Sequence, residues 1–200
     1  MSDCSHRYFI INKPYNMVSQ FVSKDDVRLL GDLNYHFPEG THAIGRLDNN
    51  SEGLLILSTN KKLTRLLFHE SAHHKRKYLV QVNHNLTEEN LQQLQSGISF
   101  KIKGGIYYRS LPCEAVIADK PGNLFSNGLS LHEKQPNTWV YITLTEGKYH
   151  QVRKMVGALR HRCLRLIRIS IEGLELGNLQ PGEVKELKEN ELFSKLGIAH

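Results

Sequence analysis

The sequence predicts an α+β fold built on a largely antiparallel mixed sheet with flanking helices. Short apolar and β-rich runs outnumber helical patterns. Several of these runs are close enough to pair as hairpins, which favours antiparallel ladders. The 200 residues suit one domain, or two small lobes sharing a core. A chain of that length buries about 70% of its unfolded surface without disulfides or metals.

Tyr8–Ile11 reads as an opening strand, stopped at Asn12-Lys13-Pro14. Leu54–Ser58 is a run of four apolar residues bounded by Gly53, the signature of a buried strand. Asn60–Leu67 follows as a helix with an Asn cap and with Leu63, Leu66 and Leu67 on one face. Tyr78–Val82 is the next strand. Thr87–Ser96 is a helix whose capping box is imperfect, because Asn90 holds the third position where Glu or Gln is usual. Glu88 and Glu89 favour its first turn. Ile98–Ile102 and Ile106–Tyr108 flank Lys103-Gly104-Gly105 as a hairpin. Glu114–Ala118 is a short strand, and 119–137, with Pro, Gly and Asn, is a long surface loop or loose hairpin. Thr138–Thr145 alternates apolar and polar as a half-buried strand does. Gln151–Arg160 is amphipathic, with Val152, Met155, Val156 and Leu159 as its apolar stripe. Leu164–Ile171 is a strand and Leu192–Leu196 a short closing helix.

Composition narrows the function. Cys4, Cys113 and Cys163 are widely spaced, odd in number and unpaired as metal ligands, which suits a reducing cytosol. The first residues lack an apolar signal core, and no apolar run approaches membrane-spanning length. A cytoplasmic protein is expected. The formal charge is +6 and the pI about 9.2, which favours a polyanionic partner. Lys148, Arg153, Lys154, Arg160, Arg162, Arg165 and Arg168 form a run without one acid between them. Lys75, Arg76 and Lys77 form a second cluster behind His73 and His74. Such clusters are either solvated basic faces or a footprint for nucleic acid.

Asp48 is the first candidate for chemistry. It stands in an Asn-, Ser- and Gly-rich turn just before the buried strand, and loops fixed on rigid strands are where reactive groups sit. An ordinary turn aspartate is the plainer reading. Asp48, Asn50, Glu52 and Gly53 also imitate the start of a calcium loop, but the twelfth position, which needs a bidentate Glu, is Thr59.

The stretch Gly45-Arg46-Leu47-Asp48-Asn49-Asn50-Ser51-Glu52-Gly53-Leu54-Leu55-Ile56-Leu57 resembles the catalytic motif of the RsuA/RluB/RluE/RluF-type ribosomal RNA pseudouridine synthases. Glu146-Gly147-Lys148-Tyr149-His150-Gln151-Val152-Arg153-Lys154-Met155 resembles the family's Glu-Gly…Gln-Val-Arg-Arg-Met signature, and Lys77-Tyr78-Leu79-Val80 its Lys-Tyr signature. Lys13-Pro14-Tyr15-Asn16 resembles its Lys-Pro motif, with Asn16 where Gly or Asp is usual. That motif is assigned to support of the sheet. The Leu166–Leu174 and Leu176–Glu183 stretches are similar to its closing segment, so the matches run from about Tyr8 to Leu187. The subgroup most similar is RluE-like and lacks the S4-type RNA-binding module. A first strand near Tyr8 leaves no such module here, so 1–200 is expected to be a single catalytic domain with a flexible 1–7.

The resemblance implies a mixed sheet with a central cleft and a cofactor-independent isomerisation of uridine to pseudouridine. It makes Asp48 the essential carboxylate and Arg153 the partner that keeps it ionised. It lays Tyr78 against the uracil, for which a buried strand tyrosine is the plainer reading. Arg46 would enter the gap left by the flipped base, and Leu54 and Leu55 would floor the site. Arg46, Lys75, Arg76, Lys77, Lys148, His150, Arg160 and Arg162 are the expected RNA contacts. The expected partner is structured large-subunit ribosomal RNA, the protein being a monomer without a metal.

Two alternatives stay open at this point. One is a non-catalytic RNA-binding domain on the same fold. The other is a zinc hydrolase, because His69-Glu70-Ser71-Ala72-His73 fits His-Glu-x-x-His. That chemistry needs a helix through both imidazoles and a third ligand, for which Glu88 or Glu89 would serve. Here His74-Lys75-Arg76-Lys77 and a strand follow at once, which leaves such a helix little room.

Overall fold

The computed structural model describes residues 6–68, 73–119, 122, 124–126 and 135–198. In chain order the elements are β1 (Tyr8–Lys13), β2 (His42–Ile44), β3 (Glu52–Ser58), α1 (Leu63–Phe68), β4 (Arg76–Asn83), α2 (Glu88–Gln95), β5 (Ser99–Lys101), β6 (Tyr107–Arg109), β7 (Glu114–Ala118), β8 (Asn137–Leu144), α3 (Gln151–Ala158), β9 (Cys163–Ile171), β10 (Leu174–Glu175), β11 (Val184–Leu187) and α4 (Glu189–Leu196). Single 3₁₀ turns lie at Leu30–Asp32 and Lys103–Gly105. The class is α+β, as the run pattern predicts. Among the described residues no helix is long and apolar enough to cross a membrane.

The chain forms two compact units: 1–74 with 168–200, and 75–167. In the first unit β1 lies between β11 and β3, antiparallel to both, with Ile10 opposite Lys185 on one side and Ile56 on the other. β2 runs antiparallel to the end of β3, Ile44 opposite Ile56. Every residue of β1 and β3 is buried. That explains why both read as continuous apolar runs and not as alternating ones: neither face meets water. On the C-terminal side, α4 buries Leu192, Phe193 and Leu196. The edge of Tyr8 meets Phe193 at 5.7 Å between ring centroids. Gly197 closes α4 in a left-handed conformation (φ 66°), its N–H reaching the carbonyls of Phe193 and Ser194.

In the second unit β8 is flanked by β4 and β7, both antiparallel, and β5 pairs with β6 around the Lys103–Gly105 turn. α2 packs on β7 and α3 on β5. Val80, Val82, Leu91, Leu94, Val140, Ile142, Val152, Met155 and Val156 make the common core. The stripe predicted for α3 is therefore the buried one. The imperfect box of α2 turns out to be complete. Thr87 Oγ1 accepts the Asn90 N–H at 3.2 Å, and Asn90 Oδ1 accepts the Thr87 N–H at 3.3 Å. The shorter amide does what Glu does elsewhere.

Boundaries differ in instructive ways. β1 runs on through Asn12 and Lys13, which pair with Leu54 and Gly53. α1 begins at Leu63, because Asn60 Oδ1 first takes the Lys62 N–H and makes a turn. Gln151–Ala158 stops short of Arg160, which adopts a left-handed conformation (φ 64°). β2, β10 and β11 carry no sequence signal: each is only two to four residues long, and β11 finds its partner β1 at the far end of the chain. The described part of the 119–137 loop carries no helix or strand before Asn137.

Leu55 sits at the centre of β3 and is wholly covered. Leu55→Ala is expected to destabilise the chain by about 2–5 kcal/mol through lost burial and a residual cavity. Urea unfolding should show a lower midpoint with an unchanged slope.

Candidate active site

Asp48 is half-buried in the turn that enters β3, and that turn is held from several sides. The Ser51 N–H closes it onto the Asp48 carbonyl at 3.0 Å. Leu47, buried, is pinned by one hydroxyl twice: its N–H donates to Ser19 Oγ at 3.0 Å, and its carbonyl accepts from the same Oγ at 2.8 Å. Asn49 Nδ2 donates to Asn16 Oδ1 at 3.1 Å. Asn16 is left-handed (φ 57°), which an asparagine tolerates and which accounts for its place in the Lys-Pro motif. Gly45 is left-handed too (φ 73°), and a Cβ there would lie 2.7 Å from the Phe68 ring. Only glycine fits.

The Lys13 side chain completes this frame. It is wholly buried, and its ammonium donates to the carbonyls of Met17 (2.6 Å), Pro14 (2.9 Å) and Asn49 (3.3 Å). Burial pushes the ammonium down from its ordinary range to about 7. Glu52 and then Asp48 pull it back up, while Arg168 and Arg28 push it further down. Lys13, Asp48, Glu52 and Arg168 thus share one electrostatic neighbourhood in the first unit. Arg168 is itself buried, its Nε donating to the Leu54 carbonyl at 2.8 Å. The Lys-Pro motif therefore does more than support the sheet: it frames the loop that carries Asp48. A lysine in an otherwise apolar strand is the signal that could have shown it.

Tyr78 and Arg153 belong to the second unit. Tyr78 is half-buried on β4 opposite Ile142 and packs on the core. Arg153 is half-buried in the first turn of α3, and its charge favours the thiolate of Cys163. Burial outweighs that pull and raises the Cys163 thiol to about 11. The entrance to α3 is built by the Glu and Gln of its signature. Glu146 Oε1 accepts from Gln151 Nε2 at 2.6 Å and from the Leu111 N–H at 2.9 Å. Glu146 Oε2 accepts from the Tyr108 hydroxyl. That bond and burial raise Tyr108 to about 12. Gln151 Oε1 in turn accepts the Lys148 N–H at 2.8 Å. Gly147 leaves room for the Arg76 guanidinium, which a Cβ would approach to 3.2 Å.

The expected RNA contacts divide by exposure. Arg46, Lys75, Lys148, Arg160 and Arg162 are exposed, while Arg76, Lys77 and His150 are half-buried. Lys75 pairs with Glu114 at 3.3 Å, and Lys77 lies over the Tyr141 ring. The basic run from Lys148 to Arg168 is not one solvated face. Arg165 and Arg168 are buried, and the Arg165 guanidinium donates to the Phe125 carbonyl at 2.8 Å. Of the His-Glu-x-x-His motif, His69, Glu70, Ser71 and Ala72 lie outside the described residues, as does Cys4. Among the described residues no cluster of His, Cys, Asp or Glu could hold a metal.

An α+β fold bearing these exposed cations suits a class of proteins that meet a polyanion. Residues 7–158 match the family described as RNA pseudouridylate synthase. The chain is 34% identical over 185 residues to "Ribosomal large subunit pseudouridine synthase E" of Vibrio parahaemolyticus, covering 92% of this chain and 75% of that one. It is 30% identical over 180 residues to the protein of the same description from Xanthomonas campestris, covering 87% and 91%. A solved structure described as "Crystal structure of pseudouridylate synthase" superposes with a TM-score of 0.76 at 25% identity, over 96% of this chain and 74% of that one. The chain belongs to the RNA pseudouridylate synthase family, isomerases that convert uridine to pseudouridine in RNA. Membership supports neither the non-catalytic reading nor the zinc hydrolase.

The Lys13 pKa lies lower in the folded chain than in the unfolded one. Between about pH 7 and 10 the unfolded chain therefore binds the extra proton, and this group makes stability rise with pH. Below about pH 7 both states hold the proton and the contribution is flat. Urea unfolding across that window is expected to show the rise in the wild type and to lose it in Lys13→Met.

Proposed function

We propose that this chain isomerises one uridine of large-subunit ribosomal RNA, with Asp48 as the essential carboxylate. The framed loop around Asp48 carries this reading. The names of the relatives support the choice of RNA, since they describe large-subunit ribosomal enzymes. In the reaction the N1–C1′ bond breaks, a C5–C1′ bond forms, and the proton on C5 is replaced by one on N1. No atom or electron is gained overall, so the conversion consumes no oxidant, reductant or group donor. The target base must first leave its stack.

Each residue has one task. Asp48 acts at the ribose as an ionised carboxylate. Arg153 has the planar guanidinium, with two donors, that suits a carboxylate such as Asp48. Tyr78 lies against the uracil face, and Arg46 fills the gap that the base leaves. Leu54 and Leu55, both buried in β3, point to opposite faces of the sheet and hold the strand that the Asp48 turn enters. Lys75, Arg76, Lys77, Lys148, His150, Arg160 and Arg162 hold the RNA, mostly by its phosphates.

Pseudouridine mapping of ribosomal RNA from cells with and without the protein tests the substrate. One large-subunit position should lose its modification, and an unchanged map would end the proposal. Asp48→Asn should abolish isomerisation while leaving folding and RNA affinity intact. Arg153→Lys should slow single-turnover rates despite its charge; an unchanged rate would remove Arg153 from the chemistry.

A further inference from the structure

Tyr149 is a large aromatic residue left 74% exposed. Its ring is not loose. It stacks on His150 with centroids 3.9 Å apart and planes inclined by only 18°. Neighbouring side chains on a strand point to opposite faces, so such a stack needs an unusual backbone. His150 supplies it with a left-handed conformation (φ 55°) between the end of β8 and α3. The Lys154 ammonium lies 5.4 Å from the Tyr149 ring centroid, and Lys148, exposed, lies 4.9 Å from that of Tyr108. Glu146, the nearby acid, is engaged by Tyr108, Leu111 and Gln151. An exposed, pre-ordered π surface with the Lys154 ammonium over its tyrosine ring, and Lys148 a few residues before it over Tyr108, suits a nucleobase with its phosphates.

We propose that the Tyr149–His150 stack is a platform for one unpaired RNA base other than the target uridine, with Lys148 and Lys154 taking the flanking phosphates. Stacking on an aromatic face tolerates any base, so the platform selects unpaired structure and not sequence. The interior of a duplex offers it nothing, because bases stacked on one another show only edges. An apolar protein partner fits poorly, because the surface is a single ring pair bordered by cations. Holding the Tyr149 ring beforehand removes part of the ordering cost of binding. The platform immediately precedes the helical turn bearing Arg153, so a base seated there fixes the RNA register close to that residue in the chain. This deepens the proposed RNA reading and rests only on its binding half.

The test compares binding of an RNA stem with an unpaired uridine-rich loop and of the same stem as a blunt duplex. Wild type, Tyr149→Ala and Tyr149→Phe are measured by fluorescence anisotropy at several salt concentrations. Tyr149→Ala should weaken stem-loop binding roughly 5- to 100-fold, the range of one base–aromatic stack. Duplex binding and the salt slope should stay unchanged, and Phe should retain wild-type affinity. Abasic substitution through the loop should find one position that weakens the wild type and has no further effect on the Ala variant. Equal stem-loop affinities for wild type and Ala would overturn the platform. So would an equal loss on the duplex, or a Phe variant as weak as Ala. Pseudouridine formation is scored separately. RNA binding without isomerisation would sink the proposed reaction and leave the platform standing.

Discussion

The buried ammonium of Lys13 is the contact on which the Asp48 loop depends. A charge without solvent costs several kcal/mol unless the protein supplies its hydration. Three carbonyls do so here, at 2.6, 2.9 and 3.3 Å, and they come from both sides of the loop junction. Removing any one would leave a buried donor short. The 14–17 segment and Asn49 are therefore held in one arrangement, and Asp48 inherits its position from Asn49. Ser19 and Asn16 tighten the same junction with neutral bonds. The frame is held because a single buried amine has several claimants.

The second unit uses an anion for the same purpose. Glu146 gathers a phenol, a backbone N–H and an amide at the entrance to α3. Bonds to a carboxylate are stronger than neutral ones, so the turn from β8 into α3 is fixed before any RNA arrives. Arg153 and the Tyr149–His150 stack both lie within that short stretch of chain. Glu and Gln of the signature thus serve geometry, and they fix the short stretch between them.

Much of this was legible in the sequence. Leu54–Leu57 announced β3 because a strand buried on both faces leaves no polar positions. The stripe of α3 was readable because it packs on one side only. The Asp48 motif was specific enough to name a family. What stayed hidden was set by distant partners. Lys13 looked like a strand terminator, since nothing local says that three carbonyls await it. Arg165 and Arg168 looked like surface charges, and their burial is fixed by the carbonyls of Phe125 and Leu54, far away in the chain. Tyr149 lay inside a recognised signature, yet its stack depends on a backbone angle that composition does not reveal.

The order of the strands also has a consequence for synthesis. The two ladder partners of β1 lie far apart in the chain, β3 beginning at Glu52 and β11 only at Val184. The first unit is discontinuous, so the sheet that frames Asp48 is complete only once β11 has been made. The 75–167 unit is continuous and has all its internal contacts while the C-terminal tail is still unmade. Vectorial emergence therefore assembles the unit bearing Tyr78, Arg153 and Tyr149 first. The frame of the Asp48 loop closes after it, so a chain cut before β11 would keep the cations of the middle segment without a finished sheet behind that carboxylate.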